Sequence, residues 1–437
     1  MKEDFLHYVW KFQKLAGVRF YTANNEELYI KKQGIHNFDS GPDFFNAQIE
    51  LDNQLWAGNI EIHINSSDWY AHGHEQDSAY DNVILHVVWN HDVEVFTKSG
   101  SPIPTLIIQN YIPKYLISRY QKLFEKGKKW INCENDLASV DQFTIENWLE
   151  RIYFERLEKK EKVLLGELEA SKNHWEALLF GTLCKNFGLK VNGDSFFSIA
   201  RSLDFSVVKK SSRDRQTLEA LLLGQAGLLS GDKDDWYFKT LKKNYLYSRK
   251  KYNLDTSPVI PPKFFRLRPP NFPTIRLAQL AMLYYERENL FSRVIETKTL
   301  SGFYDLFNVC ASDYWSTHYN FGITSLERKK RITKSFMDLL IINTVLPVKF
   351  CYFRQLGNDP SEEIIEIASR IGAEKNSVIK KFNSIKPIAV NACQSQALLE
   401  LKKEYCDKNR CLSCAIGNKI IGFKPEESAE GIGSSSN

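Results

Sequence analysis

Two acidic residues and a histidine occupy positions that a β-hairpin would bring together. Asp43 directly precedes an alternating apolar strand predicted over residues 44–51, and Glu61 and His63 lie in a second strand predicted over 56–64. Because side chains two apart on a strand point to the same face, Glu61 and His63 share one side of the sheet. The sequence therefore predicts that the three side chains converge.

The turn between these strands sets the expected register. Asp52 and Asn53 are typical turn residues, and if the chain reverses at them, Asp43 lies opposite Ile62. That position is flanked by the glutamate and the histidine of the second strand. The hairpin would thus hold two carboxylates and an imidazole within reach of one ion.

Two carboxylates are typical ligands of a hard divalent cation, so Asp43 and Glu61 are the predicted ligands of Mg²⁺ or Mn²⁺. An ion of this kind indicates phosphodiester hydrolysis as the expected chemistry, because it polarises the phosphate and lowers the pKa of a bound water. His63 is then expected to orient or deprotonate that water. Glu3 or Glu27 would supply a further carboxylate.

Several polar residues near the hairpin are predicted to support this catalytic site. Asn37 precedes the first acid, and His72, His74 and Asp77 follow the second strand, where they would bind the scissile phosphate or a second metal ion. His86 lies in an apolar run and is instead expected to be a core histidine with a hydrogen-bond partner.

The same residues allow a different metal chemistry. His63, His72 and His74, together with Glu61 or Asp77, form a set that could bind Zn²⁺, Fe²⁺ or Mn²⁺, since imidazole ligands suit transition metals. The sequence leaves this alternative open beside the two-carboxylate site. A third alternative is a catalytically degenerate scaffold that binds nucleic acid.

The hairpin resembles the PD-(D/E)XK nuclease superfamily. Pro42-Asp43 is similar to the superfamily's first motif half, and residues 61–63 are similar to its acid-any-Lys triplet, with His63 in the lysine place. The resemblance covers about residues 25–110. It implies a restriction-endonuclease-like α/β (α+β) core with a mixed sheet, in the order helix, three strands, helix, strand, and a metal-dependent nuclease activity.

Over its whole length the chain also resembles a bacterial family known as domain of unknown function 2851. This second resemblance implies no activity. The blocks that carry it are SGPDFFNAQI, GNIEIH, SSDWYAHGHEQDSAYDNVILHVVW, RPPNFPTIRLAQLA and YCDKNRCLSCAIG.

Four cysteines near the C-terminus are spaced as ligands of a structural metal. With no secretory signal, thiolates rather than disulfides are expected, and four thiolates would close a zinc site or hold an iron–sulfur cluster. These predicted ligands are Cys393, Cys406, Cys411 and Cys414. The cysteines predicted to be buried small hydrophobic residues or unreactive thiols are Cys133, Cys184, Cys310 and Cys351.

Charge is distributed unevenly along the chain. Residues 1–140 hold 13 Lys and Arg against 18 Asp and Glu, whereas residues 141–437 hold 45 against 35. A basic helical region beside an acidic metal site would suit a polyanion, although solvated helix faces without a specific role explain this modest charge at least as well. Arg266, Arg268 and Arg276 alternate with phenylalanines and are the predicted contacts to DNA or RNA, although packing between regions explains this strip equally well.

The predicted organisation has one α/β domain followed by a large, mostly α-helical region. No apolar run is long enough to span a bilayer, and we expect a cytoplasmic protein without a membrane partner. The predicted segments are an α/β nuclease-like domain at 1–140, a helical region at 141–256, a proline-rich connector at 257–275, a helical region with the cysteine group at 276–425 and a disordered tail at 426–437.

Overall fold

The computed structural model describes residues 1–125, 127 and 129–423, and divides the chain into two compact units. Unit 1 comprises Met1–Trp148, Ser384–Lys386 and the segment from Leu401 onwards. Unit 2 comprises Leu149–Asn383 and Pro387–Glu400. The region predicted over 276–425 is therefore shared between both units, and the tail predicted over 426–437 lies outside the described residues.

Unit 1 is built on a seven-stranded mixed sheet, which confirms the mixed α/β class. The strand order is β1-β2-β4-β5-β6-β7, and β3 pairs with β4 beside this path. Pairing is antiparallel from β1 to β5, and β6 is parallel to both β5 and β7. The strands are β1 Phe20–Tyr21, β2 Glu27–Lys32, β3 Ile35–His36, β4 Phe44–Leu51, β5 Gln54–Asn65, β6 Val83–Asn90 and β7 Thr105–Ile107.

One face of this sheet is apolar and packs against helices α1 (Glu3–Lys11) and α3 (Lys114–Phe124). Ile60 and Ile62 of β5 lie in this core, whereas Glu61 and His63 point to the opposite face, as strand alternation requires. The opposite face is closed by a smaller apolar cluster that includes Trp69. The predicted strand period therefore places the polar residues outside the main core.

A β-bulge changes the expected register of the β4–β5 hairpin. Near the turn the pairing follows the prediction, but it shifts by one residue between Phe44 and Ala47, so that Phe44 pairs with Ile60. Asn46 is the extra residue; its φ of 57° lies in the left-handed region that asparagine tolerates better than most residues. The prediction that Asp43 lies opposite Ile62 is wrong by this one residue.

The parallel strands β5 and β6 are joined by short helical pieces. These are helix α2 (Asp68–Ala71) and 3₁₀ turns at His74–Gln76 and Ser78–Tyr80. Gly73, with a φ of 73°, reverses the chain between α2 and the first 3₁₀ turn. This compact crossover therefore returns the chain over the polar face of the sheet.

Unit 2 is mainly helical. The predicted connector 257–275 lies inside it, where a 3₁₀ turn at Pro269–Asn271 leads into a helix that begins at Pro273. Its helices are α4 Gln142–Ala170, which contains the boundary between units, α5 Trp175–Phe187, α6 Leu189–Arg201, α7 Phe205–Ser211, α8 Arg215–Gln225, α9 Trp236–Tyr252, α10 Pro273–Glu286, α11 Leu290–Glu296, α12 Leu300–Phe307, α13 Lys334–Leu340, α14 Leu346–Gln355, α15 Ser361–Arg370, α16 Ser377–Ile385 and α17 Ala392–Leu401.

The remaining elements are short. Strands β8 (His318–Asn320) and β9 (Ile323–Thr324) form a hairpin within unit 2, and the last helix described in unit 1 is α18 (Ala415–Gly422). A π-helical turn at Ile341–Val345 joins α13 and α14 into one helix over Lys334–Gln355. Contrary to the sequence expectation, this helix is long and apolar enough to cross a membrane, but 72% of its apolar window is buried, as in a core helix.

Candidate metal centre

The hairpin joins Asp43 to Glu61 and Ile62 by two hydrogen bonds between side chain and backbone. The Asp43 N–H donates to Glu61 Oε2 at 3.1 Å, and Asp43 Oδ2 accepts from the Ile62 N–H at 2.9 Å. These two bonds depend on the bulge at Asn46, because the shifted register places Asp43 beside Glu61 and Ile62. Both carboxylates are thus fixed at the edge of the polar face.

Three histidines form the tightest group of potential ligand atoms around Glu61. His63, His72 and His74 each place a ring nitrogen within 4.8 Å of the other two. Glu61 Oε1 lies 3.3 Å from His74 Nε2 and 3.5 Å from His63 Nε2. Nε2 of His63 lies 3.1 Å from Nδ1 of His72. The structure therefore brings together one carboxylate and three imidazoles.

Three of the separations in this group are close to the edges of a tetrahedral metal site. Four N and O ligands at about 2.0–2.2 Å from one ion lie about 3.3–3.6 Å from one another. The observed atom pairs are 3.1, 3.3 and 3.5 Å apart. The donor set also fits: neutral imidazole and carboxylate together suit zinc and neighbouring transition metals more than Mg²⁺. The three imidazoles and the neighbouring carboxylate therefore suit a transition metal ion by donor type.

Burial keeps the central imidazoles neutral, which a metal ligand requires. Burial, reinforced by His74 and His72, lowers the pKa of His63 to about 3. His86 is fully buried, and burial likewise lowers its pKa well below the usual value. Nδ1 of His63 lies 2.9 Å from Nε2 of His86, which can therefore fix the ring and the tautomer of His63. His86 is the buried, hydrogen-bonded core histidine that the sequence predicted.

Glu61 is the acid of the group that is withdrawn from solvent. It is 5% exposed, and burial raises the pKa of its carboxyl group, although the hydrogen bond from His74 opposes that rise. Burial of a carboxylate is unfavourable unless a positive charge compensates it. A metal ion bound at this point would provide that compensation.

Helix α1 adds His7, which the sequence analysis missed, and Glu3, which it named as a source of a further carboxylate. His7 Nε2 lies 3.1 Å from Asp43 Oδ2, and this contact with Asp43 raises the pKa of His7 against the opposing effect of burial. Glu3, one helical turn earlier, is close enough to Asp43 and His72 for their charges to act on its carboxyl group, whose pKa is raised mainly by burial. The spacing of Glu3 and His7 on a helix with an apolar opposite face was the available signal.

The site opens to solvent at one side. His72 is exposed and His74 is partly buried, whereas His63 lies below them. Trp69 and Tyr80 wall the other side: the His74 ring stacks on Tyr80 with centroids 3.8 Å apart and meets Trp69 edge-on at 5.3 Å. A ligand would therefore approach past His72.

Two predicted supporting residues organise backbone near the site. Asn37 donates from Nδ2 to the carbonyls of Asp39, Ser40 and Pro42, and so shapes the loop that leads into Asp43. The exposed Asp77 side chain accepts from the Ala79 N–H and caps a 3₁₀ turn. Neither contact places the side chain in the histidine group.

The family of the chain follows from a comparison with known families. The model of a family described as "Protein of unknown function (DUF2851)" matches residues 3–377. The chain belongs to this family. No curated protein and no solved structure matches the chain. The whole-length resemblance is thus confirmed as to family, whereas these comparisons do not support the resemblance to the PD-(D/E)XK superfamily.

In this DUF2851 protein, the predicted arginine strip has two different environments. Arg266 and Arg268 are exposed. Arg276 is 7% exposed and lies 3.6 Å from the ring centroid of Phe336, and burial lowers its pKa to about 10. It also donates to Gln279. The prediction that Arg276 contacts nucleic acid does not fit this burial; Arg276 is a packing residue of α10.

The predicted cysteine ligands are divided between the units. Cys406, Cys411 and Cys414 belong to unit 1, whereas Cys393 lies on α17 in unit 2. Glu150 of unit 2 is the charged neighbour that raises the pKa of Cys393 further, beyond the effect of burial. All eight cysteines, each within the described residues, are free thiols.

Proposed function

We propose that this protein is a metal-dependent hydrolase whose ion is bound by His63, His72 and His74, with the Glu61 carboxylate beside the coordination position left open for water. The observation that carries the proposal is the convergence of a buried carboxylate and three ring nitrogens at 3.1–3.5 Å from their nearest neighbours. This set combines Glu61 and His63, expected at the catalytic site, with the histidines expected to support it. A transition metal, Zn²⁺ or Mn²⁺, fits the set better than Mg²⁺.

A metal bound here would act as a Lewis acid and lower the pKa of a water molecule. The chain's own residues perform the remaining tasks. His86 supports His63 through the Nδ1–Nε2 hydrogen bond and so keeps Nε2 directed at the site. Asp43 and His7 form an ion pair when His7 is protonated, and this pair can hold or move a proton beside Glu61.

The substrate class we propose is the phosphodiester of a nucleic acid. The order of elements in unit 1 supports this: α1 is followed by antiparallel strands that include the β4–β5 hairpin, then by short helices and the parallel strand β6. Apart from the two-residue strands β1 and β3, that order agrees with the predicted order of helix, three strands, helix and strand, and Asp43 and Glu61 would be the two acidic residues of such a core. The exposed Arg266 and Arg268 would add phosphate contacts.

The experiment is a metal and activity analysis of the wild-type chain and the His63→Lys variant. We expect the purified wild-type protein to contain close to one equivalent of zinc or manganese at this site and to hydrolyse DNA or RNA. Because a lysine ammonium cannot act as a metal ligand, His63→Lys should lose both the metal and turnover. His174→Lys, in unit 2, is the control and should retain both.

Two other results would contradict the proposed histidine site. If His63→Lys keeps full activity with Mg²⁺, then His63 serves only as a cation, and the two-carboxylate site at Asp43 and Glu61 replaces the histidine site. If the wild-type protein binds no metal and hydrolyses no single-stranded, double-stranded or branched DNA or RNA, the scaffold alternative replaces the hydrolase.

A further inference from the structure

Unit 1 brings a cysteine from the end of the sheet region against three cysteines from the C-terminal segment. Cys133 packs against the same apolar core that contains Cys411 and Ile421. Asn132, the residue before Cys133, donates from Nδ2 to Cys411 Sγ at 3.4 Å. Its side chain also donates to Asn409 at 3.0 Å. Two segments almost 280 residues apart in the chain are therefore in direct contact around these sulfurs.

The C-terminal cysteines lie on a tightly turned backbone. The Asn409 N–H donates to the Cys406 carbonyl at 3.2 Å, with Asn409 at a φ of 54°. The Cys414 N–H donates to the Cys411 carbonyl at 3.2 Å. Gly417 is required next to this turn, because a Cβ at that position would lie 2.1 Å from the Cys411 carbonyl oxygen. The turn thus places the three cysteines on one short segment that folds back on itself.

Backbone amides lie near one of the sulfurs. Cys414 is the N-cap residue of α18, and the N–H groups of Ile416 and Gly417 lower the pKa of its thiol against the larger effect of burial. Amide donors around a sulfur stabilise the negative charge of a thiolate, as hydrogen bonds do at thiolate-ligated clusters. Asn132 provides the corresponding donor to Cys411. Packing of small apolar side chains alone would not require N–H donors next to these sulfurs.

We propose that Cys133, Cys406, Cys411 and Cys414 form a four-thiolate metal centre, occupied by zinc or by an iron–sulfur cluster. Both groups take four cysteine ligands, and thiolates select soft metals over Mg²⁺ and Ca²⁺. Cys133 takes the place that the sequence analysis gave to Cys393. The proposal is independent of the hydrolase function, because it concerns different residues.

The electrostatics of the thiols agree with a shared site. Burial raises the pKa of Cys133 well above its usual value, and Cys406, Cys414 and Cys411 raise it further. Cys414 and Cys411 likewise act on Cys406. Each thiol therefore lies within electrostatic range of its partners, and a bound cation would offset their mutual repulsion when they lose their protons.

Such a centre would have a structural role. Four protein ligands leave no open coordination position, which is the arrangement of structural sites. The metal would attach the segment from Leu401 onwards to the sheet region of unit 1, where Ile421 already joins the apolar core and Arg119 lies 5.7 Å from the ring centroid of Phe423.

The first test uses the full wild-type chain. Anaerobically purified protein is analysed by native mass spectrometry and for zinc, iron and acid-labile sulfide. We expect either one zinc or a complete iron–sulfur cluster, in addition to any metal at the histidine site, with sulfide and visible absorption only for the cluster. Absence of both, after aerobic and anaerobic purification, overturns the proposal whatever the state of the histidine site.

The second test assigns the ligands. Cys133→Ser, Cys406→Ser, Cys411→Ser and Cys414→Ser should each lose most of this metal, whereas Cys393→Ser should retain it. If a variant does not fold, the wild-type metal is displaced with a thiol-reactive mercurial instead. The number of cysteines that react only after the metal has left is then the number of cysteines that the metal protects. Full retention of the metal in Cys133→Ser, or its loss in Cys393→Ser, overturns the assignment.

Discussion

The histidine group and the cysteine group of unit 1 are assembled in opposite ways. Glu61, His63, His72 and His74 lie within 14 consecutive residues, on a strand and on the crossover that follows it. The cysteine group joins Cys133 to a segment that begins after residue 400. The histidine group is therefore a local product of strand and turn geometry, whereas the cysteine group exists only if the C-terminal segment reaches its place.

The histidine group and the cysteine group also differ in their exposure to solvent. His72 is exposed at the edge of its group, so that a substrate can approach. In the cysteine group, Cys411 and Cys414 are 9% and 7% exposed, respectively, and Cys133 and Cys406 are partly buried. An open site with imidazole and carboxylate ligands suits chemistry, and a closed site with four thiols suits stability. This comparison predicts that damage to one group affects activity and damage to the other affects folding.

The largest effect is expected from Glu61→Gln. This change removes the carboxylate that faces two imidazoles and leaves a similar volume. Metal affinity and the hydrolysis rate should fall by at least about a hundredfold, since even outer partners of metal ligands contribute tenfold to a hundredfold. Circular dichroism should show an unchanged fold.

The matched control for this change is Glu75→Gln, because Glu75 lies on the same crossover but hydrogen-bonds Gln76. It should leave both the metal content and the rate close to wild type. Equal losses in the two variants would show that general charge near the site, and not the carboxylate of Glu61, matters.

A smaller effect is expected from Cys414→Ser, and it should be on stability. Loss of a structural metal should lower the free energy of unfolding of unit 1 by a few kcal/mol, on the order of other lost metal or disulfide links. Urea unfolding followed by tryptophan fluorescence measures this change. Metal content at the histidine site should be unaffected under native conditions.

Cys310→Ser serves as the control for the cysteine change, because Cys310 belongs to unit 2. It should unfold at nearly the wild-type urea concentration. If Cys414→Ser abolished hydrolysis while the unfolding midpoint stayed the same, the division of roles between the two groups would fail.

The smallest effect is expected at the bulge. Asn46→Val places a β-branched residue at a left-handed φ of 57°, which should cost about 1–2 kcal/mol. It should also reduce the hydrolysis rate, because the bulge sets the bonds between Asp43 and its neighbours on β5. Asn46→Gly keeps the backbone conformation and should stay close to wild type in both measurements. Thermal unfolding and initial rates distinguish these outcomes.

Alternation and turn residues were enough to predict most of the sheet. The strands over 44–51 and 56–64 overlap β4 and β5 almost completely, and the helical region predicted from 141 begins with α4. These elements have strong local signals, namely a period of two for strands and charged faces for the helix. The exact hairpin register could not be predicted, because one asparagine in a permissive conformation shifts it.

The composition of the histidine group was also determined by local sequence. Seven of the nine histidines lie within the first 91 residues, and a strand followed by a short crossover confines three of them to one region. The sequence alone did not show their proposed roles as metal ligands, as residues that support a ligand or as walls of the site. Whether His86 supports His63 depends on the pairing of β5 with β6, which no residue in either strand specifies by itself.

The sequence by itself thus determined the types of chemical group available, the β4–β5 hairpin and the face on which Glu61 and His63 lie. Only the tertiary structure decided that His7 of α1 pairs with Asp43, that Arg276 is buried and that Cys133 accompanies the C-terminal cysteines. The physical reason is the range of the interactions. Backbone periodicity acts over a few residues, whereas contacts between distant segments follow from how apolar faces pack, and many packings satisfy the same local pattern.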